Sequence, residues 1–400
     1  MFPKTPPMGF NTWNTFADKI DESLIRETAD AMVDTGLRDA GYEYLVIDDC
    51  WSERQRDPVT GKILPDHVKF PNGMKAVSDY VHSKGLKFGM YSCIGTRTCA
   101  DFPGSFDHEF LDAETFAEYG ADFLKYDTCY KPAAAPSNLL YRRMSLALQA
   151  TGRDILLSAC NWGMDGVHDW IRSTGAGMFR STGDIHDSYE CYKQIFLSQI
   201  NNFSHNGGGC FNDIDMLTVG MYARGNAGLT GCTDIEYRTE FALWCMFASP
   251  LMIGCDVRSM NDFTRELLTN PRLIRINQDP ACRPPFIAVH TEKDENNVYV
   301  RLLSDNEIAI MFTNLSDEEG IGTWLAFEDI GIPASSGKGL ALTDAFTGEE
   351  IGVRSEYMNE RVAPHDCRVY LAKIVDAKKK RTKKQNKYPP VKRGVFHFRA

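Results

Sequence analysis

The most regular feature of the chain is a series of short apolar runs in its first 260 residues. Each run ends in polar or charged residues, and an amphipathic stretch follows it. Runs of this length without strict alternation are typical of parallel strands that are buried on both faces. The eight runs span residues 6–13, 42–51, 87–94, 123–129, 155–162, 178–184, 208–217 and 250–256.

The stretches between these runs carry apolar residues at helical spacing. The first begins after Asp21 and ends at Gly36, with Ile25, Ala29 and Met32 on one face. Eight strands that alternate with helices over roughly 250 residues predict a (β/α)8 barrel. A doubly wound open sheet is the alternative, but it rarely needs eight such units. Further helices are predicted over residues 71–85, 112–120 and 139–152.

The pattern changes near Phe286, where short alternating strands are separated by Asp, Asn, Gly and Ser. Such strands predict an antiparallel β-sandwich of about 90 residues. We therefore expect a barrel over residues 1–283 and a sandwich over residues 284–375. Residues 376–400 are rich in Lys and Arg and lack apolar periodicity, so a disordered basic tail is expected there.

The amino-acid composition excludes a disordered, collagen-like or coiled-coil protein. With 43% hydrophobic and 24% charged residues, the 400-residue chain has ordinary globular composition. No run approaches the roughly 20 apolar residues that cross a bilayer, and the start lacks a secretory signal, so we expect a cytoplasmic protein without a membrane partner.

Residues 376–400 carry a charge of +9, which leaves −19 on residues 1–375 out of the total of −10. No folded nucleic-acid module accompanies this tail, so no nucleic-acid partner is expected.

The twelve cysteines do not form a metal-binding pattern. No CxxC pair occurs, and no cluster of Cys and His has the spacing of a zinc site, so we expect no metal and no cofactor. In a chain without a secretory signal, reduced thiols are the default state.

Carboxylates are concentrated where the predicted barrel strands end. Because the catalytic groups of a barrel lie at the carboxyl ends of its strands, these residues predict a polar pocket. The neighbouring Trp13, Trp51 and Trp162 predict aromatic walls. Any single Asp in this position would equally serve as a turn or capping residue. The carboxylates are Asp48, Asp49, Asp127, Asp184, Asp213, Asp215 and Asp256.

Several carboxylates and aromatic rings without a metal cluster are typical of glycoside hydrolysis. One carboxylate attacks the sugar or activates water, a second protonates the leaving oxygen, and others bind hydroxyls. A magnesium or manganese site built from the same carboxylates is the alternative. It is disfavoured because Lys125 and Arg180 lie near the acids in the sequence, where they would compete with a cation.

Two motifs, LKYDTC at residues 124–129 and VIDDCW at residues 46–51, resemble glycoside hydrolase family 27, which contains α-galactosidases and α-N-acetylgalactosaminidases. The resemblance spans residues 6–372 and includes MGFNTWNTF, KGLKFGMYS, RSTGDI, FNDIDML and VAPHDCRVYL in order. The family fold is a (β/α)8 barrel followed by an antiparallel β-domain, which agrees with the pattern above.

The resemblance implies two catalytic residues. Asp127 matches the family nucleophile and Asp184 matches the general acid/base of a retaining enzyme, so their carboxyl groups are expected about 5–5.5 Å apart. The reaction requires Asp127 to be ionised and Asp184 to be protonated at the start. We expect Lys125 and Arg180 to help keep Asp127 charged.

The remaining matches imply a galactose site. Asp48 and Asp49 correspond to the pair that accepts hydrogen bonds from the O4 and O6 hydroxyls and so separates galactose from glucose. The resemblance also implies that the loop of Cys160, Asn161 and Trp162 contacts the substituent at the 2-position of the sugar. Its bulky groups favour a free 2-hydroxyl, whereas Asn161 leaves an N-acetyl group open. Further matches to sugar contacts are Trp13, Tyr91, Lys125, Arg180, Asp215 and Met216.

The sequence also departs from the family pattern. Cys93 stands where an Asp is frequent, and Phe211 and Ile214 stand where Trp and Pro are usual. Residues 221–234 resemble an insertion that could wall the aglycone side of the site or aid oligomer contacts.

The family resemblance implies a single disulfide. Cys99 and Cys129 match a family pair beside the nucleophile, whereas Cys50 lacks the partner that it has in secreted relatives. We therefore expect mainly free thiols, with Cys99–Cys129 as the one candidate bridge.

These observations predict a retaining exo-α-galactosidase that releases galactose from α-galactoside oligosaccharides. α-N-acetylgalactosaminidase and β-L-arabinopyranosidase activities of the same family stay open as alternatives. A galactose-binding protein without catalysis is the alternative from another class, but such a protein would not need Asp184. The outer faces of the barrel could support a homo-oligomer, although the sequence contains no interface signature.

Overall fold

The computed structural model describes residues 2–320 and 322–377. Over these residues it confirms the predicted fold class, a (β/α)8 barrel followed by an antiparallel β-sandwich. The predicted basic tail at residues 376–400 lies, from residue 378 onward, outside the described residues. No helix in the described ranges is both long and apolar enough to cross a membrane.

The strands of the barrel region are short. Within residues 2–283 they are β1 (Met8–Asn11), β2 (Tyr44–Val46), β3 (Lys87–Cys93), β4 (Phe123–Asp127), β5 (Leu156–Cys160), β6 (Met178–Arg180), β7 (Asp187–Ser188), β8 (Phe211–Asp213), β9 (Gly228–Gly231) and β10 (Leu251–Ile253). Eight of them form one parallel sheet in the order β10-β1-β2-β3-β4-β5-β6-β8. β7 and β9 pair with each other in a separate ladder.

The two ends of the parallel sheet meet just past β8. Leu217 forms a parallel bridge with Ile253 of β10. Its backbone N–H donates to the carbonyl of Met252 at 2.8 Å, and its own carbonyl accepts from Gly254 at 3.0 Å. This pairing closes the barrel. Apolar side chains fill the interior, as in other barrels of this kind. They are Tyr44, Val46, Phe123, Leu156, Met178, Phe211, Met216 and Met252.

Helices follow most of the barrel strands. They are α1 (Trp13–Phe16), α2 (Glu22–Asp34), α3 (Leu37–Ala40), α4 (Gly73–Ser83), α5 (Glu109–Tyr119), α6 (Ser137–Ala150), α7 (Val167–Trp170), α8 (Tyr189–Gln199), α9 (Asp234–Phe247), α10 (Asp262–Leu268) and α11 (Pro271–Asn277). α2 begins where Asp21 accepts a hydrogen bond from the backbone N–H of Leu24. α9 begins with a reciprocal capping box between Thr233 and Glu236.

The barrel strands end earlier than predicted, which changes where five carboxylates lie. β2 ends at Val46 and β8 at Asp213, so Asp48, Asp49 and Asp215 lie just beyond these strands. β6 ends at Arg180, so Asp184 lies in the following loop. Asp256 lies beyond β10 and accepts a hydrogen bond from the backbone N–H of Arg258. The prediction that strands end at Asp48, Asp49, Asp184, Asp215 and Asp256 is therefore wrong. The Asp256 side chain bonds to the local backbone and that of Asp184 to Arg180, and Asp favours such contacts in loops over a position in a strand ladder. Asp127, in contrast, is the last residue of β4.

The C-terminal domain is an antiparallel sandwich. Its strands are β11 (Phe286–Val289), β12 (Val298–Leu302), β13 (Glu307–Asn314), β14 (Thr323–Ala326), β15 (Lys338–Asp344), β16 (Glu350–Arg354), β17 (Tyr357–Glu360) and β18 (Asp366–Asp376). Six of them form one sheet in the order β11-β12-β13-β18-β15-β16, and β14 pairs with β17. Leu325 and Met358 of the small sheet pack with Val300 and Ile310 of the large one, so the two sheets share a core.

The sandwich is attached to the barrel through buried contacts. The guanidinium of Arg301 in β12 is fully buried and donates to the carbonyls of Ile276 and Arg283. The hydroxyl of Thr239 in α9 donates a hydrogen bond to the carbonyl of His365. α9 thus lies between the barrel and the sandwich.

Candidate active site

A cavity of about 200 Å³ opens at the carboxyl ends of the barrel strands. Polar and aromatic side chains dominate its walls, in agreement with the sequence prediction. Its lining consists of Trp13, Asn14, Asp48, Asp49, Tyr91, Cys99, Lys125, Asp127, Trp162, Arg180, Asp184, Ile185, His186, Asp215, Met216, Asn226 and Ala227.

Asp127 is fixed at the floor of this cavity. Its Oδ2 accepts a hydrogen bond from the hydroxyl of Tyr91 at 3.0 Å, and its Oδ1 accepts from the backbone N–H of Thr128 at 2.8 Å. The residue is 5% exposed. Burial raises the pKa of Asp127 to about 6, although Lys125 and these hydrogen bonds favour the ionised form.

Asp48 and Asp49 form the neighbouring part of the wall. Asp48 Oδ2 lies 2.8 Å from the Lys125 ammonium and accepts from Nδ2 of Asn11 at 2.7 Å. Asp49 Oδ2 accepts from the backbone N–H of Ala100 at 3.0 Å. Burial raises the pKa of Asp49 above its ordinary value. Burial lowers the pKa of Lys125, but the Asp48 carboxylate more than offsets this, so the ammonium stays charged.

Asp184 lines the same cavity from the loop after β6. Nη2 of Arg180 is 2.7 Å from Oδ1 of Asp184 and 2.7 Å from Oδ2 of Asp215. The same Asp215 oxygen accepts from the backbone N–H of Ile185 at 2.7 Å. Burial raises the pKa of Asp184, but the Arg180 charge outweighs it and holds that pKa below its usual value. The Asp184 side chain is 67% exposed, so solvent screens this ion pair.

The pKa values of the two carboxyl groups are therefore in the opposite order to the one expected. Asp127 has the higher pKa and Asp184 the lower one. Burial is the cause for Asp127, and the Arg180 contact is the cause for Asp184. The expectation that Arg180 keeps Asp127 charged is also corrected, because Arg180 contacts Asp184 and Asp215 instead.

Comparison with known proteins places this site in a family. The family model described as "Alpha galactosidase A" matches residues 5–279, and "Alpha galactosidase C-terminal beta sandwich domain" matches residues 293–372. An α-galactosidase of Cyamopsis tetragonoloba is 40% identical over 373 residues, which cover 92% of this chain and 86% of that protein. The chain belongs to the α-galactosidase family. It is therefore a glycoside hydrolase, as the sequence predicted.

Two solved structures extend this α-galactosidase likeness to the whole described fold. α-Galactosidase I from Mortierella vinacea is 30% identical with a TM-score of 0.85, and the match covers 94% of this chain and 98% of that one. The α-galactosidase from Saccharomyces cerevisiae with raffinose is 28% identical with a TM-score of 0.82, and the match covers 93% and 98%.

The fold brings most of the residues that the family resemblance implies as sugar contacts to this cavity, but not all of them. Cys160 lies beneath it, at a small void of about 30 Å³ that Lys125 and Arg180 also line. Trp51 was expected as an aromatic wall and is instead buried in the core, where its Nε1–H donates to the carbonyl of Tyr91. Trp13 and Trp162 do line the cavity.

The cysteines beside Asp127 are joined as the family resemblance implies. Cys99, which lines the cavity, forms a disulfide with Cys129. Cys50 and Cys93 are free and buried. The Cys93 thiol donates to the carbonyl of Arg97, so this departure from the family pattern is accommodated inside the protein.

Sequence reasoning missed several residues of the wall. Asn11, the last residue of β1, contacts the wall residue Asp48, and Asn14 beyond it lines the cavity. Asn226 and Ala227 belong to the insertion at residues 221–234, whose placement on the wall was one of two alternatives. Asp213, which the sequence did predict, lies at the small void beneath the cavity, and burial raises its pKa to about 6.

Two groups of side chains within the described residues have atoms close enough to hold a metal ion. One contains Cys99, Cys129 and Asp127, but the disulfide occupies both sulfur atoms. The other is an acidic group with one histidine outside the cavity. Inside the cavity, Lys125 and Arg180 neutralise Asp48 and Asp215. These contacts favour recognition of a polar neutral ligand over cation binding.

Proposed function

We propose that this protein is a retaining exo-α-galactosidase that releases terminal galactose from α-galactoside oligosaccharides. The main support is that Asp127 and Asp184 line one cavity of about 200 Å³ together with the ion pair of Asp48 and Lys125. This volume is below the roughly 300–1,000 Å³ of sites for larger ligands, which supports binding of a single terminal sugar.

The proposed chemistry uses two displacements. Asp127 attacks the anomeric carbon while the glycosidic C–O bond breaks and Asp184 gives its proton to the leaving oxygen. A galactosyl ester of Asp127 forms and the aglycone alcohol departs. Asp184 then takes a proton from water, the water oxygen attacks the anomeric carbon, and the ester bond to Asp127 breaks. Two inversions at the anomeric carbon retain its configuration.

The protonation order of the two carboxyl groups must change when substrate binds. Asp184 is largely exposed, and a bound sugar with its aglycone would remove water from it. Loss of water raises the pKa of a carboxyl group, so binding favours the protonated acid that the reaction needs. The sugar hydroxyls also replace water around Asp127, whose hydrogen bonds from Tyr91 and Thr128 stabilise its ionised form.

Asp48 and Asp49 are proposed to select galactose. Asp48 is held by Asn11 and Lys125, and Asp49 by Ala100, so the remaining carboxylate lone pairs are aimed at the cavity. An axial O4 hydroxyl donates to such an acceptor, whereas the equatorial O4 of glucose leaves it unpaired. Unpaired buried polar groups give strong discrimination between epimers.

The 2-position distinguishes the remaining alternatives. Trp162 lines the cavity, and Asn161 beside it is fully buried. Neither polar atom of the Asn161 side chain has a hydrogen-bond partner within residues 2–320 and 322–377. The bulk of Trp162 favours a free 2-hydroxyl over an N-acetyl group. The supported substrate is therefore galactose, with α-N-acetylgalactosaminide and β-L-arabinopyranoside as outcomes of the test.

The test compares three 4-nitrophenyl glycosides: α-galactopyranoside, α-N-acetylgalactosaminide and β-L-arabinopyranoside. We expect the highest kcat/KM for the α-galactopyranoside, and proton NMR should show α-galactose as the first product. Equal or faster hydrolysis of the N-acetyl substrate would overturn the assignment of the sugar. β-Galactose as first product would overturn the retaining mechanism, and absence of any turnover would favour a galactose-binding protein.

Raffinose serves as the natural-type substrate, because the related Saccharomyces cerevisiae α-galactosidase was solved with raffinose.

The cytoplasmic location and the homo-oligomer expected from the sequence stay predictions. Size-exclusion chromatography of the full chain measures the second of these directly.

A further inference from the structure

Two loops that line the cavity are tied to each other. We call residues 184–188 the acid loop and residues 221–232 the wall loop. The backbone N–H of Asp187 donates to the carbonyl of Ala227 at 2.8 Å, and β7 pairs with β9 at this point. The backbone N–H of Ala227 donates in turn to the carbonyl of Asn14 at 2.8 Å. The acid loop, which carries Asp184, is therefore braced by the wall loop.

The Asp187 carboxylate fastens this junction from inside the protein. It is fully buried, and its Oδ2 accepts a hydrogen bond from the backbone N–H of Ala223 at 2.7 Å. The hydroxyl of Tyr237 lies 2.8 Å from its Oδ1 and 3.0 Å from its Oδ2. Burial raises the pKa of Asp187, while these hydrogen bonds favour its ionised form. A buried carboxylate is costly unless it is paired in this way.

The Tyr237 hydroxyl connects more than one segment. Besides donating to Asp187, it accepts from the backbone N–H of Tyr222 at 2.7 Å and from that of Cys232 at 3.4 Å. Tyr222 and Cys232 lie at the two ends of the wall loop. One hydroxyl on α9 thus holds both ends of the wall loop and the acid loop together.

Asp184 itself has little restraint of its own. Its side chain is 67% exposed and contacts Arg180, and the next residue is held through its backbone N–H by Asp215. The direction in which Asp184 points therefore depends on where the rest of the acid loop is anchored. Asp187, three residues later, supplies the second anchor.

We infer that Asp187 and Tyr237 are positioning residues for proton donation by Asp184. This inference rests on the proposed function. Neither residue lines the cavity, and each acts through the acid loop. Displacement of a catalytic group by about 1 Å can cost on the order of 10²-fold in rate, so loss of this anchor should weaken general-acid catalysis.

Leaving-group dependence separates this role from a merely structural one. A poor leaving group such as the sugar alcohol of raffinose needs a proton from Asp184, whereas 2,4-dinitrophenolate leaves without one. A general fall in stability or in folded fraction lowers activity on both substrates by the same factor. Misplacement of Asp184 lowers kcat/KM for raffinose alone.

The experiment compares Tyr237→Phe with the matched control Tyr222→Phe in the full chain. The two rings pack edge to face with centroids 5.1 Å apart, and the Tyr222 hydroxyl contacts Asp234 and Asn261 rather than the acid loop. Both variants lose one hydroxyl from the same pair of rings. kcat/KM is measured for raffinose and for 2,4-dinitrophenyl α-galactopyranoside, with thermal unfolding measured in parallel.

We expect Tyr237→Phe to lower kcat/KM for raffinose by about 10- to 100-fold, and that for the dinitrophenyl substrate by less than about threefold. Tyr222→Phe should leave the ratio of the two values as in the wild type. Equal losses on both substrates for Tyr237→Phe, or the same ratio change in Tyr222→Phe, would overturn the inference.

A second variant covers the case in which Tyr237→Phe does not fold. Asp187→Asn keeps the side-chain shape but replaces one acceptor oxygen by a donor, and the same change in ratio is expected. An unchanged ratio in folded Asp187→Asn, or failure of this variant to fold as well, would contradict a positioning role. If the wild-type protein hydrolyses neither substrate, the proposed function itself fails, which is a result distinct from a wild type that hydrolyses both.

Discussion

The two sides of the cavity are built in different ways. The strand-built half lies within or just beyond three neighbouring parallel strands, and it consists of Asp48, Asp49, Tyr91, Lys125 and Asp127. The loop-built half consists of Asp184, Ile185, His186, Asn226 and Ala227, which belong to two irregular segments. Asp127 is 5% exposed, whereas the side chain of Asp184 is 67% exposed.

This difference suits the two tasks proposed for the carboxylates. A nucleophile must reach one carbon atom from one direction, and a strand end inside a barrel fixes that direction. An acid/base must first serve an aglycone and then a water molecule, so it lies at the open side. The cost is that the loop-built half depends on anchors in other segments, and Asp187 and Tyr237 are two of them.

The largest effect is expected in the strand-built half. Asp127→Asn should reduce kcat on every α-galactoside by more than the roughly 10²–10⁴-fold that general acid catalysis contributes, because no galactosyl ester can form. Steady-state kinetics with the dinitrophenyl substrate measure this loss. Asp122→Asn is the matched control, since Asp122 precedes the other end of β4 and contacts His82 and Arg153.

Asp122→Asn should lower stability while it keeps kcat/KM near the wild-type value. Near-normal turnover by Asp127→Asn, or an equal loss in both variants, would break the assignment of the nucleophile. Circular dichroism of both variants shows whether the fold is intact.

In the loop-built half, the loss should depend on the substrate. Asp184→Ala should lower kcat/KM for raffinose by roughly 10²–10⁴-fold, the range of general acid catalysis, and affect the dinitrophenyl substrate far less. The two substrates are each other's control, because both report on the same preparation of the variant. A similar loss on both would mean that Asp184 does not act as the acid, and the contrast between the halves would disappear.

The pH dependence reports on both halves together. The reactive form of the pair carries one proton, and the upper of its two apparent pKa values is set by Asp127 at about 6. Above this pH both carboxyl groups are ionised, so kcat/KM should fall about tenfold per pH unit as the pH rises further. A kcat/KM that is constant between pH 6 and pH 8, in a protein that stays folded there, would contradict this.

The smallest effect concerns the helix that carries Tyr237. Thr233→Ala removes the capping box of α9 and should lower the free energy of unfolding by about 1 kcal/mol. Urea denaturation measures this loss. Asp21→Ala, which removes the cap of α2, should cost a similar amount.

Neither capping variant should change the ratio of raffinose to dinitrophenyl activity, because the contacts of Tyr237 persist in both. A changed ratio in Thr233→Ala alone would sharpen the comparison by showing that the loop-built half depends on the start of α9.

Sequence patterns anticipated the strand-built half better than the loop-built half. In the run FLKYDTC the charged Asp127 follows a buried stretch, and β4 indeed ends at Asp127. For Asp184, the same reasoning placed a strand end four residues too late, and the family resemblance supplied its role. The contact between Asp187 and Tyr237 joins residues 50 positions apart, and no periodic pattern links them.

The amino-acid sequence by itself determined the alternation of strands and helices and the fold class of a barrel followed by a sandwich, because periodicity and propensity act over a few neighbouring residues. The tertiary structure decided which carboxyl group has the higher pKa, which expected residues line the cavity and what anchors the acid loop. These properties arise from removal of water and from contacts between distant segments, and both exist only once the chain has packed.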